Sequence, residues 1–432
     1  MTNDILVEVS SGETKVAILE NRDLVEFYIE KLNPGRLVGN IYRGKVQSVL
    51  PGIQAAFVDI GYNKNAFLYI NDAISNNCYT YEDDGLYNDV KDFNISDILT
   101  QGQEITVQVI KEPLGNKGPR VTTHITLPGR YLVLLPNADY IGISRRIDNE
   151  SEKNRLKKLV EKIKPEGMGI IVRTVAEGIG EEDFAQDVNF LMKLWISIHE
   201  RENKGNVPRC LHTDYNLLYR TVRDYFASNT DKLIVNDLEQ YNKILEYVDM
   251  FSPSLKNKIQ YFSKSKSVFE YYQIDYRLSK ALTRKVWLKC GGYIVIDRTE
   301  ALTVIDVNTG KYVGSDNLED TVLKTNMDAA AEISRQLRLR DIGGIIIIDF
   351  IDMNNDEHKK MVLNALKIAL RKDRTKTTVI GMTGLGLIEM TRKKVGYELA
   401  NTINDECPYC KGTGKNIHEQ GDGRINQNVN IV

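Results

Sequence analysis

Apolar and polar positions alternate with a period of two over residues 5–31, interrupted by the turn sequence Ser-Ser-Gly-Glu at 10–13 and resumed through Leu24, Glu26, Tyr28 and Glu30. Such alternation predicts strands with one buried face, here a short antiparallel meander. It is too small to fold alone and must pack on something later in the chain. From Gly35 the chain reads GRLVGNIYRGKVQSVLPGIQAAFVDIGYNKNAFLYI, a series of short strands with glycines at the turns, and strand character returns over 104–111. A polar helix is expected over 150–164, ended by Pro165, then a strand over 169–174. From 181 to 285 helices are expected to dominate, because Phe190, Leu191, Leu194 and Trp195, and then Leu233, Leu238, Ile244, Leu245 and Val248, recur at helical spacing.

The last third mixes both periods. Residues 286–305 predict a second meander, VWLKC, YIVID and LTVID, with turns at Gly291-Gly292 and Arg298-Thr299-Glu300. A long helix is expected over about 318–340, with Val322, Leu323, Ala329, Ala330, Ile333 and Leu337 on one face and a stop at Gly343-Gly344. The all-apolar run 345–348 predicts a central strand buried on both faces. An amphipathic helix over 356–372 then precedes the strand TTVIGM and the basic segment TRKKVG. Within this α/β unit, two apolar runs each end in a carboxylate, Asp306 and Asp349. A poorly solvated anion is tolerated when it is paired or bound to a cation. Paired Asp oxygens are ligands that hard, hydrated Mg²⁺ accepts, so a Mg²⁺ site is the first chemical expectation.

Composition adds bounds. A chain of 432 residues is long enough for several domains. Its formal charge of −2 argues against a general polyanion-binding surface, so nucleic-acid affinity must come from local patches. One such patch is 111–146, with six Lys/Arg against two acids. Phe57 and Phe67 flank the turn at 61–65, where they serve either a strand core or base stacking. The stretch 71–97 holds seven acidic residues and one lysine and reads as a solvated insertion that repels phosphate. No apolar run approaches a membrane span and the N-terminus has no signal-peptide character, so a cytoplasmic protein without a membrane span is expected. Of five cysteines only Cys407 and Cys410 form a spaced pair. Two thiolates are half of a structural Zn²⁺ set, with His418 as a nearby extra candidate, and a redox pair is the other reading.

The blocks TVIDVNTG, RQLRLRDIGGIIIIDFIDM, GLIEMTRKK and CPYCKGTG, in that order, resemble the ribonuclease E/G family, and the likeness extends from the first meander to Gly414. The segment from Gly35 is similar to the OB-fold of ribosomal-protein type. The resemblance implies an α/β multidomain fold. An RNase H-like subdomain without a nuclease site (1–35 with 219–283) would carry an inserted OB-fold RNA-binding domain (36–122) and a 5'-sensor region (123–218). A DNase I-like catalytic subdomain (284–403), a zinc-link (404–414) and a flexible tail (415–432) would follow. It further implies a short form of the family, without the C-terminal small domain and long tail.

By the same resemblance Asp306 and Asp349, 43 residues apart as in the family, would bind Mg²⁺, and Asn308 would orient the site. A 5'-monophosphate would be sensed by Gly129, Val133, Arg173, Thr174 and Lys376. The last replaces the arginine usual in the family with a point charge that lacks a bidentate fork. Phe57, Phe67, Lys111 and Lys117 would contact RNA, and Arg145 and Arg146 would join the channel. Cys407 and Cys410 would share one Zn²⁺ with a second protomer, linking a homodimer. The implied activity is Mg²⁺-dependent hydrolysis of single-stranded RNA, leaving 5'-phosphate products, in rRNA processing and mRNA decay. A non-catalytic RNA-binding or ribosome-maturation factor is the reading from another class. Asp341 and Asp352 are expected to serve caps or turns.

Overall fold

The computed structural model describes residues 2–31, 36–73, 80–82, 85–87, 94–113, 117–227, 229–310, 318–394, 398–403 and 408. The chain forms two compact units, Met1–Thr283 and Arg284–Val432.

In the first unit, β1 (Asn3–Val9), β2 (Glu13–Glu20) and β3 (Asp23–Lys31) form the expected antiparallel meander. Next come β4 (Ile41–Leu50), β5 (Ala55–Asp59), β6 (Ala66–Tyr69), the helical turn α1 (Ile70–Ala73), the hairpin β7 (Thr80–Glu82) and β8 (Gly85–Tyr87), the turn α2 (Ile95–Ile98), β9 (Glu104–Lys111) and β10 (Arg120–Thr122). Strands β4-β5-β6-β10-β9 run side by side and β9 pairs back with β4, closing a five-stranded barrel. Closure removes exposed edges, and Val46, Ala56, Val58, Ala66, Leu68, Val107 and Val121 fill the interior.

A four-stranded sheet ordered β11-β12-β14-β13 follows, from β11 (Leu127–Pro128), β12 (Leu132–Leu135), β13 (Ile141–Ile143) and β14 (Gly169–Val172). It packs on α3 (Glu150–Ile163) and α4 (Glu181–Glu202) through Leu156, Val160, Phe184 and Leu191. Beyond β15 (Arg209–His212), which adds to the outside of β4, lie α5 (Leu217–Tyr225), β16 (Lys232–Val235), α6 (Leu238–Phe251), β17 (Ile259–Tyr261), α7 (Val268–Tyr271) and α8 (Ile274–Ala281). Strand β16 runs parallel beside β1, with Ile5 opposite Leu233, and β17 beside β16. They extend the sheet of the first meander, whose buried face packs on α5 and α6 through Leu218, Val222, Ile244 and Val248. Helices dominate 181–285 as expected, but Leu233, grouped with helical positions in the sequence, lies in β16 instead. Strand β16 (KLIV) is short and nearly all apolar, and β17 (IQY) is only three residues long, so periodicity could not separate either from helix.

The second unit is one six-stranded sheet ordered β18-β19-β20-β21-β23-β22, from β18 (Lys285–Trp287), β19 (Tyr293–Arg298), β20 (Leu302–Asn308), β21 (Gly344–Asp349), β22 (Thr377–Met382) and β23 (Ile388–Arg392). Its helices are α9 (Leu318–Leu339), α10 (Asp356–Leu370) and α11 (Leu399–Ile403). Ile294, Ile296, Ile305, Val307, Ile346, Ile348, Ile388 and Met390 project from one face onto Ala329, Ala330, Ile333 and Leu337 of α9 and Val362, Leu366 and Leu370 of α10. The opposite face is open: Ile345 is 51% and Trp287 54% exposed. Strand β21 is therefore central but covered on one face, a correction to the expected double burial. The basic segment after TTVIGM also begins as a strand, β23.

Helix α9 ends where Asp341 adopts φ +50° and the amide of Ile342 donates to the carbonyl of Leu337 at 3.1 Å, so the chain turns before the two glycines. Asp341 and Asp373 both accept from the buried guanidinium of Arg392, each at 2.7 Å, tying the ends of α9 and α10 to β23.

Candidate active site

On the open face of the second sheet Asp306 and Asp349 are lateral partners on the parallel strands β20 and β21. Register forces this. Ile305 and Ile348 pair with their side chains in the core, so the next residue on each strand points outward. The amide Nδ2 of Asn308, two residues on and hence on the same face, donates to Asp306 Oδ2 at 2.7 Å. With Val307, Thr309, Phe350, Ile351 and Asp352 these residues line an open cleft of about 320 Å³.

Partial burial, then the negative charges of Asp306 and Asp352, raise the Asp349 carboxyl above its ordinary value. A bound divalent cation would offset that repulsion. Among the described residues no cluster of three or more His, Cys, Asp or Glu side chains is placed to hold a metal. Two outward carboxylates with open space between them suit Mg²⁺, which keeps much of its water, better than a closed cage. The loop after β21 is fixed from beneath. Buried Asn326 of α9 donates through Nδ2 to the carbonyl of Ile351 at 2.8 Å and accepts its amide at 3.1 Å. A lone asparagine on an amphipathic helix gives no motif, so sequence alone does not single it out.

On the barrel, Phe57 and Phe67 are cross-strand partners whose rings lie 5.9 Å apart, edge to face. Both are half-buried on the outer surface while Ala56, Val58, Ala66 and Leu68 face inward, which removes the core reading. Phe67 pairs with Arg120, and Arg120 with Lys111, so the row Phe57, Phe67, Arg120, Lys111 crosses four strands. Lys117 is exposed just before β10. Arg120, read from sequence only as part of a basic stretch, is ion-paired with Asp72 at 2.7 Å.

Gly129, Val133, Arg173 and Thr174 gather on the four-stranded sheet. Arg173 Nη1 donates to the carbonyls of Gly129 (2.6 Å) and Arg130 (3.2 Å), and Nη2 to Asp224 at 2.7 Å. Burial pushes the Asp224 carboxyl up, but Arg173 and Arg223 outweigh it and hold it at about 2. A Cβ on Gly129 would lie 2.5 Å from Asp187, whose carboxylate accepts the amides of Arg130, Tyr131 and Leu132. Exposed Thr174 shares a 2.9 Å hydrogen bond with Ser144, and exposed Arg145 and Arg146 follow directly, so both arginines stand at the Thr174 edge. Neither Asp187 nor Asp224 was marked by any motif. Lys376 precedes β22 in the second unit, where its carbonyl accepts the amide of Lys393. Cys407, Cys410 and most of the acidic stretch 71–97 lie outside the described residues. Among the described residues no helix is long and apolar enough to cross a membrane.

The profile of the ribonuclease E/G family matches residues 126–395, and that of the S1 RNA binding domain matches 37–123, the barrel. The chain is 45% identical over 414 residues to ribonuclease G of Salmonella typhimurium, covering 96% of this chain and 84% of that protein. It is 45% identical over 415 residues to ribonuclease G of Escherichia coli K12, with the same coverage. To ribonuclease E of Nostoc sp. it is 40% identical over 389 residues, which is 89% of this chain and 55% of that protein. The chain belongs to the ribonuclease E/G family.

Proposed function

We propose that the protein is an endoribonuclease that hydrolyses single-stranded RNA with Mg²⁺ held by Asp306 and Asp349, acting in rRNA processing and mRNA decay. The observation that carries this reading is the lateral pairing of the two carboxylates on an open sheet face, with Asn308 bonded to one of them. The residues fit the ion: partial burial and then the neighbouring negative charges raise the Asp349 carboxyl, and a cation between the two carboxylates would offset that repulsion. When bound, Mg²⁺ polarises the scissile phosphate and lowers the pKa of a coordinated water. Asn308 occupies one oxygen of Asp306 and leaves the other to the site. Asp349 must lose its proton before it can ligate, so activity falls as pH drops into the carboxylate range.

Substrate is held elsewhere on the chain. Phe57 and Phe67 offer ring faces to unpaired bases, while Lys111, Lys117, Arg145 and Arg146 supply phosphate contacts. Arg173, pinned by Asp224 and two carbonyls, keeps its Nε–H and one Nη2–H for a 5'-monophosphate beside Thr174, Gly129 and Val133. Lys376 would add a point charge. The domain names that go with this reading are an RNase H-like sheet around β1–β3, a 5'-sensor sheet and a DNase I-like catalytic unit. Cys407 and Cys410 would contribute half of a Zn²⁺ shared by two protomers in a homodimer, and the cytoplasm is the proposed location.

The test is cleavage of one RNA sequence carrying either a 5'-monophosphate or a 5'-hydroxyl. The reading expects cutting of both, faster for the monophosphate, and Arg173→Lys should narrow the difference. Equal rates on the two substrates remove the sensor role while leaving the nuclease intact.

A further inference from the structure

We propose that Trp287 and Tyr293, together with Lys285, form a stacking platform that holds an unpaired nucleobase of the RNA beside the Asp306–Asp349 pair. The proposal rests on the nuclease reading and deepens it by adding a binding subsite on the catalytic sheet itself.

Register brings the parts together. Trp287 of β18 pairs with Tyr293 of β19, Tyr293 pairs with Asn308 of β20, and Asn308 bonds Asp306. Paired residues on neighbouring strands share a face, so both rings stand on the open face with the carboxylates. Strands are about 5 Å apart and successive same-face residues about 7 Å, which puts Tyr293 within roughly 10 Å of Asp306 and Trp287 within roughly 12 Å. A nucleotide or two of extended single strand covers that distance.

The chemistry matches a base with its phosphate. Trp287 is 54% exposed, and its ring meets Tyr293 edge to face at 5.5 Å. The Lys285 ammonium lies 3.6 Å from the Tyr293 ring centre and 4.5 Å from that of Trp287. Sequence-tolerant nucleic-acid sites combine this same pair, an exposed π-face and a cation. A base stacked on Trp287 takes over ring surface now shared with Lys285 and leaves the ammonium beside the backbone phosphate. A protein partner suits the surface less well. Interface cores are depleted of charge, whereas Lys285 lies against both rings and the two carboxylates share their face.

The experiment compares wild type with Trp287→Phe, Trp287→Ala and Trp287→Ala/Tyr293→Ala on two 5'-monophosphorylated RNAs. One is intact, and the other has abasic sugars flanking the cut. On intact RNA the alanine variants should raise KM roughly tenfold, the loss expected for one stacked base, and Trp287→Phe should recover most of it. On the abasic RNA wild type should show the same penalty and the alanine variants little more. The chain has two tryptophans, so in a Trp195→Phe background RNA should quench Trp287 fluorescence. Wild-type KM in the alanine variants on intact RNA, a further rise in KM of roughly tenfold on substitution when the RNA is already abasic, or a loss that tracks a change in oligomeric state overturns the platform. If wild type cuts neither RNA, the nuclease reading itself fails, a result distinct from the others.

Discussion

Asn326 of α9 grips the backbone of Ile351 at both its amide and its carbonyl, fixing the loop that leaves Asp349. The side chain is fully buried, so replacing it with an apolar one leaves the amide and the carbonyl of Ile351 without their partner. Asn326→Leu should destabilise the protein by about 1–3 kcal/mol, counting the net loss of two hydrogen bonds. Asn326→Asp, which keeps only the acceptor, should cost a comparable amount. Cleavage rate per folded molecule should fall in both, because the Asp349 carboxylate loses its fixed position. Thermal unfolding and single-turnover cleavage measure the two effects separately.

Asp349 should also report on the metal through stability. Burial and then the nearby carboxylates raise its carboxyl above the ordinary value, so without metal the folded state holds that proton more tightly than the unfolded chain. Metal-free stability is therefore favoured below the unfolded pKa and is lost as pH rises through the folded one. Asp349→Asn should match wild type at low pH and exceed it at neutral pH. Adding Mg²⁺ should reverse the order, raising the Tm of wild type but not of the variant. A wild-type Tm indifferent to Mg²⁺ contradicts the site.

Asp224 behaves in the opposite sense. Held at about 2 by Arg173 and Arg223, it adds stability above the unfolded carboxylate pKa that disappears as pH falls toward 2. Asp224→Asn should cost about 2 kcal/mol at neutral pH, with the gap to wild type closing in acid. Because Arg173 loses its anchor, preference for 5'-monophosphorylated RNA should weaken in the same variant. Denaturant titrations at several pH values and paired cleavage assays test both halves.

On the barrel, Phe57→Ala and Phe67→Ala should each weaken RNA binding by about 1–3 kcal/mol while leaving Tm nearly unchanged, since both rings are half-exposed. Their combined effect should be less than additive because the rings touch. Lys111→Ala should weaken binding uniformly across sequences and reduce its salt dependence by about one phosphate contact.

Much of this was legible where alternation was clean. In 5–31 the period of two gives the antiparallel meander that the structure has as β1–β3, and the runs ending in Asp306 and Asp349 are the strands β20 and β21. Where the pattern is uniformly apolar it says nothing about faces: the run 345–348 reads as doubly buried, yet Ile345 lies on the open side. The same degeneracy hid β16. Residues that act through geometry alone left no trace in the sequence. Asn326, Asp187 and Asp224 sit among helical residues of ordinary composition, and only folding brings them to a loop, a ring of amides or an arginine. The pairing of Trp287 with Asn308 through Tyr293 likewise exists only once strand register is known.

The proposed nuclease stands or falls on Asp306 and Asp349 together holding the metal that cuts RNA. The most direct measurement is the rate of cleavage of a short 5'-monophosphorylated, AU-rich RNA with Mg²⁺ by wild type, Asp306→Ala and Asp349→Ala, with RNA binding measured in parallel. The account predicts that wild type cuts, that each substitution slows cutting at least a hundredfold, and that all three bind the RNA with similar affinity. Variants that cut as fast as wild type, or a wild type that binds RNA and never cuts it, would contradict it.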